Sequence, residues 1–194
     1  MVLAAALQSC APNQTMKTIT FVPPSVTQDT LGPKYLHNVS QIKYWDRIAA
    51  ANRATNFGWW DSTGRVVEMN EFYNKVVVLT FFGTWSMPSL DQLYRIRLAR
   101  LDNPDTNVLF IGVAMREPAT DGAAVLRVDS FAHARHVDYQ LLIGSRDFGF
   151  TYGGIDAVPT TFVIARSRKI IATFDGVISE GKLVDTVASA ENNP

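Results

Sequence analysis

Cysteine is nearly absent from this chain: there is one, Cys10, in 194 residues. A lone thiol excludes an internal disulfide framework, a cysteine-based zinc cluster and any dithiol chemistry within a single chain. Net charge is absent as well, because 18 basic residues balance 18 acidic ones. That balance removes the electrostatic basis for wholesale binding to nucleic acid or to an anionic membrane surface. No apolar run approaches the ~18 residues that a membrane-spanning helix needs. What is present is ordinary globular composition, 47% hydrophobic and 19% charged, neither disordered nor fibrous. At about 150 residues per domain the length predicts one domain with an extension.

The chain begins Met1-Val2-Leu3-Ala4-Ala5-Ala6-Leu7-Gln8-Ser9-Cys10. An apolar stretch that runs into small residues and then Cys resembles the end of a bacterial lipoprotein signal, Leu-x-Ser-Cys, whose Cys becomes the lipidated first residue of the mature chain. Residues 1–10 therefore read as a partial signal segment, with Cys10 the lipidation candidate. Residues 11–55 read as a tether followed by a helix, and 56–194 as the main domain. Pro23-Pro24 and Gly32-Pro33 break up the tether, which has a short extended piece at Ile19–Val22. Ser40 is the expected N-cap of a helix reaching Ala54, with Ile42, Trp45, Ile48 and Ala49 at helical spacing.

Further on, the pattern is that of an α/β protein. Phe57–Trp60 and Arg65–Glu68 flank a turn and predict a hairpin, with Trp59 and Trp60 split between core and surface. Lys75–Phe82 and Asn107–Ala114 are continuous apolar runs suited to strands covered on both faces. Between them lies a predicted helix with Leu90, Leu93, Tyr94, Leu98 and Leu101 inward and Arg95 and Arg100 outward. A second helix spans Ala123–Val137, with Val125, Val128, Phe131 and Ala132 inward. Gln140–Ile143 predicts a strand and Arg146–Tyr152 a short helix. Thr160–Ala165 and Lys169–Phe174 predict a hairpin turning at Arg166-Ser167-Arg168, and Glu180–Ala190 a closing helix. This order builds a mixed sheet with helices on both faces.

Four stretches stand in the order and at the spacing of one family. Gly64–Lys75 is similar to a lead-in of the form dG-x-v-x-L-s-d-f-x-GK, and Val76–Trp85 to the strand vvvlnFWATW. Asn107–Val113 is similar to the next strand, and Tyr152–Ile164 to the segment Y-g-v-x-x-x-P-t-t-f-l-I. Over about residues 57–190 the chain resembles the TlpA/ResA-like thioredoxin-fold proteins, bacterial thiol–disulfide oxidoreductases working outside the cytoplasm. The resemblance implies a thioredoxin-like fold: a central mixed sheet flanked by helices, preceded by a β-hairpin and an N-terminal helical extension. It also implies a periplasmic or envelope location.

The family's chemistry needs Trp-Cys-x-x-Cys at a helix N-terminus, where backbone N–H groups and the helix dipole stabilise a thiolate. One sulfur attacks a substrate disulfide and the other resolves the mixed disulfide. Here the segment is Trp85-Ser86-Met87-Pro88-Ser89, with oxygen at both sulfur positions. The family's acidic residue after the motif is also replaced, since Ser89-Leu90-Asp91-Gln92 ends in Gln. A serine hydroxyl neither forms nor cleaves disulfides under mild conditions, so no catalytic residue is assigned. What remains is a surface. The family's Pro beside the motif turn, usually cis, corresponds to Pro159, and the residue before it, Val158, offers backbone groups to an extended peptide. Trp85, Met87, Pro88, Val158, Pro159 and Thr160 are thus the expected binding residues. The expected partner is a protein or extended peptide, with no cofactor, no metal, no nucleic acid, and membrane contact only through a lipid anchor. The alternative from another class is an oxidoreductase represented as a Cys-to-Ser variant.

Other constellations are weaker. A serine hydrolase needs a base beside Ser86, and there is no Gly-x-Ser-x-Gly turn. His133 and His136, with Asp129 or Asp138, have the spacing of a metal pair, but a solvated helix face explains them better. His37 sits in the tail. Asn13 and Asn38 head glycosylation sequons that matter only in a eukaryotic secretory setting. Arg166, Arg168 and Lys169 form a basic turn, read as solubilising.

Overall fold

Six apolar residues and Thr80 make up Val76–Phe82, the central strand β4, and all seven are buried. Alternate side chains serve opposite faces, as a strand's period of two requires. Val76, Val78 and Phe82 enter one core cluster, and Val77, Leu79 and Phe81 enter the other. The computed structural model describes residues 39–47, 52–61, 63–102, 107–118 and 121–192. Cys10, His37, the sequons at Asn13 and Asn38, and the extended piece at Ile19–Val22 lie outside the described residues.

In chain order the elements are β1 (Val39–Trp45), β2 (Phe57–Trp60), β3 (Val66–Glu68), a 3₁₀ turn (Met69–Phe72), β4, α1 (Met87–Asp102), β5 (Val108–Ala114), α2 (Asp121–Ala134), β6 (Gln140–Ile143), α3 (Arg146–Phe150), β7 (Thr160–Ile164), β8 (Ile170–Asp175) and α4 (Glu180–Glu191). The strands form one sheet in the order β3-β2-β1-β6-β5-β4-β7-β8. β4 is parallel to β5 and antiparallel to β7, so the sheet is mixed. Leu93 and Ile96 of α1, Val128 of α2, and Leu183 and Val187 of α4 fill one face. Phe148 of α3, Met69 and the β2–β3 hairpin fill the other. Phe148 is the hub of that second layer, with ring centroids 5.1 Å from Phe57, 5.9 Å from Phe81 and 5.5 Å from Tyr152. Aromatic pairs of this kind contribute roughly 0.5–1.5 kcal/mol each beyond their buried area.

The structure corrects two expectations. The segment predicted to be helical from Ser40 is instead strand β1, parallel to β6 through Val39↔Leu141 and Ser40↔Leu142. It is antiparallel to β2 through Ile42↔Trp59 and Trp45↔Phe57. β-Branched and aromatic side chains suit it to a pleated surface, and it fills the edge that β6 would otherwise leave open. Residues 48–51 lie outside the described residues, while Arg53 bridges antiparallel to Lys169. In α1 the inward residues are Ser89, Gln92, Leu93, Ile96 and Ala99. Tyr94 and Leu101, predicted inward, are exposed. The other elements fall where the pattern placed them, to within a few residues. Trp59 is buried and Trp60 half-exposed.

Candidate functional site

The C-terminal end of β4 delivers the chain into Gly83-Thr84-Trp85 and then the first turn of α1. Gly83 is demanded by contact: a Cβ there would lie 2.7 Å from Cε2 of the Trp85 indole. Ser86 stands just ahead of α1, and its Oγ accepts the Ser89 N–H at 3.4 Å while its carbonyl accepts the Leu90 N–H at 3.2 Å. It therefore occupies the N-cap position, where a hydroxyl relieves an otherwise unpaired helix donor. Pro88 is harmless in that first turn because the N–H it lacks would have had no intrahelical partner.

Both hydroxyls are tied to backbone. Ser86 Oγ also donates to the Val158 carbonyl at 3.4 Å. Ser89 Oγ accepts the Gly83 N–H at 3.2 Å and is fully buried. Among the described residues no His, Asp or Glu hydrogen-bonds either hydroxyl, so neither has the base that nucleophilic activation needs. Opposite them the Val158–Pro159 peptide bond is cis. The fold thus brings Trp85, Ser86, Val158 and Pro159 together, with Trp85 50% and Met87 73% exposed beside them. Pro88 is exposed as well. Val158 is half-buried, and Pro159 and Thr160, expected at the binding surface, are buried; Thr160 Oγ1 is engaged with the Ala157 carbonyl at 3.0 Å and Asp175 Oδ1 at 3.2 Å.

The bracing around this turn comes from residues that the sequence reading did not single out. Glu117, in the loop after β5, has a side chain only 1% exposed. It accepts the Thr84 N–H at 2.9 Å and the Thr84 hydroxyl at 2.6 Å, and Arg127 of α2 approaches it at 3.4 Å. A buried carboxylate is tolerable only when its oxygens are met in this way. Arg116 has φ of 53°, a left-handed conformation uncommon for a side chain of this size. In that pose its carbonyl accepts Trp85 Nε1 at 3.1 Å. Its guanidinium donates to the carbonyls of Ile155 at 2.7 Å and Asp156 at 3.2 Å. One residue therefore ties the Trp85 turn to the loop that carries Pro159. The adjacent charges in Met115-Arg116-Glu117-Pro118, directly after a buried strand, were the available signal.

Deeper in the molecule, burial pushes the Tyr152 phenol well above its ordinary range, although the neighbouring Arg168 charge opposes this. Its hydroxyl donates to the Thr55 carbonyl at 3.3 Å. Asp129 is raised by burial, partly offset by His133. Among the described residues no three His, Cys, Asp or Glu side chains gather as a metal-binding group. No helix among them is long and apolar enough to cross a membrane.

No protein-family model matches the chain. The thiol-disulfide oxidoreductase ResA of Geobacillus thermodenitrificans is 26% identical over 139 residues, covering 69% of this chain and 73% of that protein. A thioredoxin-family thiol:disulfide interchange protein from Chlorobium tepidum superposes with a TM-score of 0.62 at 20% identity, covering 74% of this chain and 98% of its own. A secreted disulfide oxidoreductase of Mycobacterium tuberculosis, homologous to Escherichia coli DsbE, gives a TM-score of 0.55 at 18% identity over 69% of this chain and 95% of that one. The fold is therefore the thioredoxin fold. Within it, the chain is similar in sequence to ResA thiol-disulfide oxidoreductases, and its single cysteine fits a lost dithiol.

Proposed function

We propose that this is an extracytoplasmic thioredoxin-fold protein that binds a protein or extended peptide and performs no disulfide exchange. The observation that carries the reading is the state of the two serines. Each hydroxyl sits where the family places sulfur, and each is held by backbone groups rather than by a base. Binding needs neither of them to react. The Val158 N–H has no hydrogen-bond partner among the described residues, so it is available to an added strand. The Val158 carbonyl is already engaged by Ser86. Pairing is therefore one-sided, and the exposed apolar surface of Trp85 and Met87 supplies the remaining attraction, with Pro88 bordering it and the buried Pro159 and Thr160 shaping the loop from within.

The module is read as non-enzymatic, needing no cofactor and no nucleic acid. The secreted and ResA-type relatives support a place outside the cytoplasm, and Cys10 is the proposed lipid anchor. Mass spectrometry of the native protein is expected to find an acylated Cys10 at the mature N-terminus; an unmodified thiol with upstream sequence attached would remove the anchor. For the binding face, partners captured by the intact protein are compared with those of a Trp85→Ala, Met87→Asp variant. Loss of specific partners is expected, and identical partner sets would rule this face out.

A further inference from the structure

Helix α1 carries two apolar stripes, and the described residues bury only one. Leu93, Ile96 and Ala99 lie in the core. Alongside them run Met87, Leu90, Tyr94, Leu98 and Leu101, separated by three, four, four and three residues. Tyr94 is 56% exposed and Leu101 59%, while Leu90 and Leu98 are half-buried. A mean step near 3.5 residues is the seam of a helix packed on another helix. The first part of this stripe walls a groove of about 340 Å³ whose far side is Phe131, Arg135 and Val137.

Charge at the groove is one-sided, although the chain as a whole is neutral. Asp91, its one carboxylate, is occupied by Arg95 at 3.1 Å. Arg135 in the groove wall and Arg97 beside the stripe have side chains with no ion pair or hydrogen bond among the described residues. The unanswered charge is positive.

We propose that this face of α1 docks an amphipathic helix of a partner protein, apolar along one stripe and acidic on its flanks. The stripe is about 21 Å long at ~1.5 Å per residue, enough for a four-turn helix laid in the groove. The partner's carboxylates meet Arg97 and Arg135, and its apolar side chains cover Leu90 and Tyr94. A second copy of this chain fits less well. Antiparallel pairing of two α1 helices sets Arg97 and Arg135 of both copies on the same side of the seam, with no new carboxylate to face them. The surface shares only Met87 with the face proposed above and does not depend on that reading.

The probe is a labelled synthetic peptide of about 18 residues, with Leu at alternating three- and four-residue spacing and Glu on the flanks. Its control has Lys at each Glu position. With the full chain, fluorescence anisotropy is expected to give the Glu peptide about tenfold or greater preference over the Lys peptide. Tyr94→Asp, at an exposed site, is expected to weaken the Glu peptide about tenfold with the thermal midpoint unchanged. Arg97→Glu with Arg135→Glu is expected to invert the preference, and Trp85→Ala to leave it intact. Equal affinity for the two peptides, or binding of neither, overturns the proposal. So does loss of binding on Trp85→Ala. Sedimentation showing a dimer that Tyr94→Asp dissolves also overturns it, because the face then belongs to a second copy.

Discussion

At position 86 the difference between this chain and a working oxidoreductase is one atom. A thiol there would face the same Ser89 N–H that Ser86 Oγ accepts at 3.4 Å, and the same helix terminus. Both favour a thiolate and lower its pKa below the free value of about 8.5. A Ser86→Cys, Ser89→Cys variant is therefore expected to close an intramolecular disulfide on oxidation. It should then catalyse dithiothreitol-driven reduction of insulin, while the chain with both serines shows no turnover. If the double variant folds but stays inert, with two freely titrating thiols, the surroundings have lost the chemistry along with the sulfur. Turnover by the chain with both serines would contradict the reading of them. These positions were legible in the sequence because Trp85–Ser89 is contiguous and the resemblance anchors it. Pro159 was legible on the same ground. Arg116 and Glu117 were not, since what makes them matter is Trp85 and Thr84, more than thirty residues away in the chain.

Among the elements, the runs with one unambiguous environment were the easiest to read. β4 is buried on both faces, and a continuous apolar run has few other outcomes. β1 was misread for a local reason. Its register shifts between Ile42 and Tyr44, and a bulge of this kind breaks the strict alternation that marks a strand. With the alternation broken, Ile42 and Trp45 stand three apart and mimic a helix face. In α1 the difficulty was an excess of apolar residues rather than a shortage. Two stripes competed for the inward direction, and the smaller side chains won. Ser89 and Gln92 lie inside because they serve neighbouring backbone: Ser89 accepts the Gly83 N–H, and Gln92 Oε1 accepts the Ile178 N–H at 2.8 Å. Hydrophobicity alone ranks Tyr94 and Leu101 above them and so points the helix the wrong way.

For the molecule as a whole, a balanced charge count conceals an uneven distribution of titrating contacts. The β3 edge of the sheet concentrates carboxylates held below their ordinary range: Glu68 by the Tyr44 hydroxyl and then Asn56, Asp61 chiefly by the Thr63 hydroxyl, and Glu71 chiefly by Arg65. Depressed carboxyl groups stabilise the fold fully above their unfolded values of about 4. That contribution is lost as pH falls through the lower folded values, because the folded form then releases its advantage in holding the charge. The partner of Glu68 has the opposite sign. Tyr44 is raised to about 12, chiefly by its hydrogen bond to Glu68, so its contribution is intact below the ordinary phenol range and fails as pH climbs through that raised value. One contact, Tyr44 to Glu68, thus limits the same edge at both ends of the pH scale. Hydrogen exchange followed by NMR is expected to show Phe57–Trp60 and Val66–Glu68 losing protection near pH 3 while β4 and β5, with no carboxylate in either strand, stay protected. Tyr44→Phe should make the edge less protected at pH 7 and reduce the additional loss in acid. Simultaneous loss across the whole sheet at pH 3, or an acid response unchanged by Tyr44→Phe, would show that these edge contacts do not govern the acid limit.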